Sequence, residues 1–144
     1  MAYADVIPGL IARLRSIPGV TVGWGLPQSI HTTPYVFGLY AGGVSGRVGQ
    51  VQRDRYQVTI YGVVLFQDNE QAEYELAPLV TALPGAFDPR QIDHDGHPYA
   101  TLGGTVNVAQ VTALRSGEVD GFVTIGEIQY RAVIVDLEIT EKAL

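Results

Sequence analysis

The stretch from Arg53 to Phe66, Arg-Asp-Arg-Tyr-Gln-Val-Thr-Ile-Tyr-Gly-Val-Val-Leu-Phe, constrains the fold more than any other part of the chain. Its β-branched and aromatic residues suit a pleated, half-buried surface. Side chains alternate between the two faces of a strand. Tyr56, Val58, Ile60, Val64 and Phe66 make one face apolar along its length. The opposite face begins polar with Arg55, Gln57 and Thr59 and turns apolar at Tyr61, Val63 and Leu65. One face therefore belongs to a core, and the other carries a second apolar patch that needs a cover.

Glu127 to Thr140 repeats this pattern. Val133, Val135, Leu137 and Ile139 form a continuous apolar row. On the other face Tyr130, Ala132 and Ile134 are apolar and Asp136 and Glu138 acidic. Both long strands thus carry one full core face and one half-apolar opposite face.

The remaining elements follow from periodicity and punctuation. Tyr3, Val6, Ile7, Leu10, Ile11, Leu14 and Ile17 fall on one helical stripe, and Pro18-Gly19 ends the helix. Val20–Trp24 and Tyr35–Tyr40 read as strands. A second helix is expected over Gln67–Leu83, with Asp68 and Gln71 as a capping box and a buried stripe of Ala72, Leu76, Leu79, Val80 and Leu83. Thr105–Leu114 and Phe122–Ile125 read as further strands, and Gly126 as a bulge or bend. The order predicts a single α+β domain over residues 1–144. It is a mostly antiparallel β-sheet with two α-helices packed on one face. That leaves the half-apolar second face for a protein partner.

Ala41 to Gln52 differs from the rest. Gly42, Gly43, Gly46 and Gly49 leave little to pack, so a long flexible β-hairpin arm is expected where two to five residues would close an ordinary turn. Arg47, Arg53 and Arg55 cluster at its base. They are candidates for inter-subunit pairing with Glu70, Glu73 and Glu75 of the second helix or with the acidic end of the last strand.

Composition narrows the function. Charged residues are 17% of the chain, below the usual ~25% for soluble domains, which suggests a surface partly covered in the working state. The net charge of −6, with one lysine, argues against wrapping nucleic acid. It leaves room for DNA to slide past an acidic wall. There is no cysteine, which excludes disulfides and thiolate chemistry. No apolar run is long enough for a membrane-spanning helix. No signal peptide is read at the N-terminus, so cytoplasmic synthesis is the default expectation.

Only Asp93-His94-Asp95-Gly96-His97 offers metal-ligand types together, and a small metal-dependent enzyme is one reading of it. Asp, Gly and Pro are also ordinary turn residues, the spacing is no helical His-x-x-x-His pair, no further motif supports it, and a solvated turn is the preferred reading. The glycines at 42–49 lack the lysine of a phosphate loop, and Ser45 lacks the flanking glycines of a nucleophile elbow. His31 stands alone in a loop, and Trp24 reads as a core anchor. No catalytic residue, metal or cofactor is assigned, and the chain is not expected to be an enzyme.

Assembled, the sequence resembles the tail terminator (tail completion, minor tail) proteins of long-tailed phages and related tail-like particles. The likeness lies in the opening helix Tyr3–Leu14 followed by Ile17-Pro18-Gly19-Val20, and in the Pro34-Tyr35-Val36 strand. It continues in the Arg55–Phe66 strand leading to a helix that ends Ala82-Leu83-Pro84-Gly85, and in the closing Tyr130–Ile139 strand. Residues 91–128 are longer and richer in glycine than in a minimal member. The resemblance implies a structural virion protein that assembles in the host cytoplasm as a homo-oligomeric ring, commonly six-fold. The ring caps the head-proximal end of the tail tube, halts its polymerisation and offers a surface to the head connector, while DNA passes through its lumen. A neighbouring neck, head-closure or adaptor protein is the alternative of the same class. The expected subunit interface is Tyr61, Val63, Leu65, Tyr130, Ala132 and Ile134, with Arg47, Arg53 and Arg55.

Overall fold

The computed structural model describes residues 3–48, 51–66, 68–117 and 121–142, with backbone alone for 44–48 and 51–54. Helix α1 spans Tyr3–Arg15 and buries Val6, Leu10 and Leu14. Asp5 in its first turn and Arg13 and Arg15 in its last suit the helix dipole. Helix α2 spans Asn69–Gly85. The Asp68 carboxylate caps it, accepting from the Glu70 N–H at 3.2 Å. Pro84 lies inside the last turn rather than ending the helix.

The strands are β1 (Thr21–Trp24), β2 (Tyr35–Val48), β3 (Val51–Leu65), β4 (Val108–Ser116), β5 (Phe122–Ile125) and β6 (Ile128–Thr140). They form one six-stranded sheet in the order β1-β2-β3-β6-β4, with β5 paired to β6. β1 runs parallel to β2, and the other pairs are antiparallel. The two long two-faced strands are central neighbours, in register from Arg55↔Thr140 to Leu65↔Tyr130. The fold class expected from sequence is observed.

Both helices lie on one face. Val58, Ile60 and Val64 join Val133, Val135, Leu137 and Ile139 against Val6, Leu10, Leu14, Leu79 and Leu83. Gly62 interrupts the apolar row of β3 for a steric reason, since a Cβ there would come within 2.6 Å of Leu83 Cδ1. The glycine lets α2 sit down on the strand. Trp24 anchors the rim of this core, and its Nε1–H donates to Tyr3 Oη at 3.2 Å. Its ring lies where a Cβ on Gly38 would be, at 2.4 Å.

The opposite face holds a second core. Phe37, Val63, Ile125, Tyr130 and Ala132 are buried there, flanked by Ile30, Tyr35, Leu39, Tyr61, Leu65 and Val123. The Phe37 and Tyr61 rings stack at 4.9 Å. Ile30 comes from the loop 25–34, which runs from β1 to the β5–β6 turn before returning to β2. At that turn a Cβ on Gly126 would lie 2.6 Å from the Gln28 carbonyl oxygen. Gly126 and Glu127 both have positive φ, 57° and 68°. They form a two-residue hairpin turn between Ile125 and Ile128, the bend rather than the bulge of the two expected there.

The leftover apolar face expected from sequence is thus corrected. Val63, Ala132 and Ile134 have no exposed surface, Tyr130 is 2% exposed, and Tyr61 and Leu65 are half-buried. The chain covers the patch itself, in part with Ile30 from the loop 25–34. The polar half of this face pairs internally. Gln57 donates to Glu138 at 3.0 Å, and Thr59 donates to Asp136 at 3.3 Å.

The arm is also more regular than expected. β2 and β3 pair continuously from Tyr35↔Val63 to Val48↔Val51, with one bulge between Tyr40 and Gly42. Gly42, with φ of 136°, is in a conformation that side chains rarely adopt, which fits it to the bulge. Gly43 and Gly46 sit in the ladder, and Gly49 lies outside the described residues. Beyond Arg55↔Thr140, β3 has no partner but β2 among the described residues. The two strands continue as a ribbon past the end of β6.

Candidate interaction surface

The far edge of the sheet is β4. Among the described residues no strand pairs with its outer side. Its sequence alternates Ala109, Val111 and Leu114 with Gln110, Thr112 and Arg115, and a register shift between Val111 and Ala113 twists it. Bulges and charges of this kind keep an edge strand from pairing indiscriminately. Thr112, Leu114, Arg115 and Ser116 are exposed.

α2 runs alongside this edge, and a groove of about 280 Å³ separates them, lined by Glu73, Leu76, Val80, Leu114, Arg115, Ser116, Arg131, Ala132 and Val133. Val80, expected in the buried stripe of α2, is instead 39% exposed, and Leu114 is 47% exposed. The correction reflects helix geometry: Leu76, Leu79 and Leu83 point to the sheet, and Val80 falls one step round. Tyr74 on the same helix is exposed.

Charged groups fix the groove walls. Arg131 Nε donates to Glu73 Oε1 at 2.8 Å, its Nη2 also meets that oxygen, and its Nη1 donates to the Gly121 carbonyl at 2.8 Å. Its guanidinium lies 5.3 Å from the centre of the Phe122 ring. Arg115 grips Asp136 with two bonds, of 2.8 and 3.0 Å. A second groove of about 590 Å³ lies lower on the same edge, between Thr81, Pro84, Phe87 and Arg90 and the β4 residues Val108–Val111. Arg90 there is turned onto Asp88 at 3.1 Å, and the Arg90 guanidinium holds that carboxyl below its ordinary range.

The residues singled out from sequence fall into separate places. Arg55 approaches Glu138 of its own chain at 4.0 Å, so the expected pairing with the last strand occurs within the subunit. Glu73 is likewise engaged by Arg131 and Glu75 by Gln71. The side chains of Arg47 and Arg53 lie outside the described residues. Asp93 is a turn residue that accepts the backbone N–H groups of Asp95 and His97, both at 2.9 Å. The His97 N–H is the main cause of its lowered pKa. His94 points to solvent, and no group of three metal-ligand side chains gathers among the described residues. His31 is exposed, 3.5 Å from Ser29. No described helix is long and apolar enough to cross a membrane.

Sequence reasoning missed the β4 edge and its groove. The available signal was Leu114, an apolar residue followed by Arg115 and Ser116 at a strand end. Compared with known proteins, the chain matches no family model and no curated protein.

Proposed function

We propose that this chain is a structural component of a phage tail, a tail terminator. It would form a ring at the head-proximal end of the tube, stop tube growth and receive the head connector, with DNA passing through. The observation that carries this reading is the pair of unlike surfaces on one sheet, unpartnered among the described residues. A β2–β3 ribbon projects past β6 at one place, and an open β4 edge with an apolar groove lies at another. Unlike surfaces on one subunit make head-to-tail contacts, and such contacts form a ring when the rotation between subunits closes. The element order and the resemblance in its helices and long strands support the same reading. The acidic charge of −6 suits a lumen along which DNA moves without sticking.

Electron microscopy of particles made without the chain tests the proposal. Tubes longer than normal are expected. Tubes of normal length that fail to join heads would favour the neck-protein alternative. Normal particles would contradict both.

A further inference from the structure

We propose that the open edge of β4 and the groove beside it receive the β2–β3 ribbon of a second copy of this chain, strand against strand. The inference rests on the ring reading and deepens it by naming the two surfaces that meet.

The ribbon needs a partner. Beyond Arg55 it is a two-stranded hairpin with both outer edges open among the described residues, and such hairpins are marginal in water by themselves. Its glycines give it few side chains to pack against its own body, and they let another backbone come close. The β4 edge offers what it lacks. From Thr112 to Ser116 the edge presents backbone donors and acceptors to solvent, the arrangement that accepts an added strand. Leu114 and Val80 flank it with exposed apolar surface.

Charge selects the occupant. Residues 47–55 carry Arg47, Arg53 and Arg55 against one acid, Asp54. They hold a third of the basic residues of a chain whose net charge is −6. Residues 68–85, whose Glu73, Leu76 and Val80 line the groove, carry Asp68, Glu70, Glu73 and Glu75 and no basic residue, although Glu73 is already held by Arg131. The most basic segment of the chain thus matches its most acidic helix. A subunit cannot make this contact with itself, because β6 stands between β3 and β4 in the sheet. The contact must come from a neighbour, and repeating it runs head to tail.

The cysteine-free chain makes the test clean. Ser45→Cys marks the ribbon and Leu114→Cys the groove, in two separate full-length preparations that are mixed and treated with a short bis-maleimide. The proposal expects covalent heterodimers in the mixture. In the Ser45→Cys/Leu114→Cys double variant it expects a ladder of multimers ending at one closed size. Adding Val80→Arg, at a position exposed enough to spare the fold, removes apolar surface and repels the basic ribbon, and should cut the cross-linked yield by about tenfold or more with an unchanged melting temperature. Oligomers by native mass that give no ribbon-to-groove cross-link would overturn this contact and leave the ring reading standing. A chain that stays monomeric at every concentration would overturn both.

Discussion

The two faces of the sheet are built from the same strands and closed in different ways. On one face, α1 and α2 lay regular stripes of leucine over Val58, Ile60, Val135 and Leu137. On the other, Phe37, Val63, Tyr130 and Ala132 are closed with the help of a loop whose described contact is Ile30. Each helix covers its face through repeated turns. The loop covers its face through one apolar residue and a close backbone approach at Gly126. An apolar strand face therefore shows that a cover exists, without showing whether a partner or the chain itself provides it.

Burying a charge tests that comparison most severely. Val63→Asp and Ile60→Asp place a carboxylate on the two faces at sites with no exposed surface. Each should destabilise the monomer by about 4 kcal/mol or more, since burial shifts a carboxyl pKa by about 3–5 units. Urea unfolding of both variants checks this. A Val63→Asp chain that keeps its stability and loses only self-association would restore the partner-covered face expected from sequence.

A cavity is the next probe. Leu83→Ala on the helix-covered face should cost about 3 kcal/mol, with Gly62 beneath it unable to fill the space. Ile30→Ala on the loop-covered face should cost less, about 1 kcal/mol, because Ile30 is only half-buried. Equal losses in thermal unfolding would mean that the loop carries as much of the core as a helix does.

Gly126→Ala probes the loop's anchorage. A side chain there meets the Gln28 carbonyl and a φ of 57°, so about 2 kcal/mol of destabilisation is expected. Amide exchange should quicken in residues 25–34 and stay slow in α1 and α2. Uniform quickening would show that the two faces open as one unit.

The smallest effect concerns pH. The Asp93 carboxyl is held below its ordinary value by the backbone N–H groups of His97 and Asp95. A lowered folded pKa gives stability that is complete above the unfolded value, near 3.8, and fades as pH falls through the folded value. Carboxyl titration by NMR should find Asp93 protonating below the ordinary carboxylate value. Asp93→Asn should remove that step and leave both faces of the sheet intact.

How much was legible follows from the same contrast. The helices, the two central strands and their shared face could be read because Leu10, Leu14, Leu79, Leu83 and the rows of β3 and β6 repeat at fixed periods. The self-covered face could not, because Ile30 and Leu26 are the two aliphatic residues of a loop otherwise of Gly, Pro, Gln, Ser, His and Thr, with no period to show which of them packs. The ribbon was visible as a glycine-rich hairpin arm, and the length and regularity of its ladder were not, because glycine has no side chain to carry a strand pattern. The β4 groove depends on the rotation of α2 that leaves Val80 outside. One helical step decides that, and the stripe alone did not resolve it.

The central claim is that this chain builds a closed ring from unlike surfaces. Native mass spectrometry of the purified protein tests it most directly. The account predicts one discrete multiple of the 15.5 kDa chain, six being the expected number, which reverts to single chains when Val80→Arg is introduced. A single species at the mass of one chain at every concentration, or an open series of sizes with no preferred closure, would contradict it.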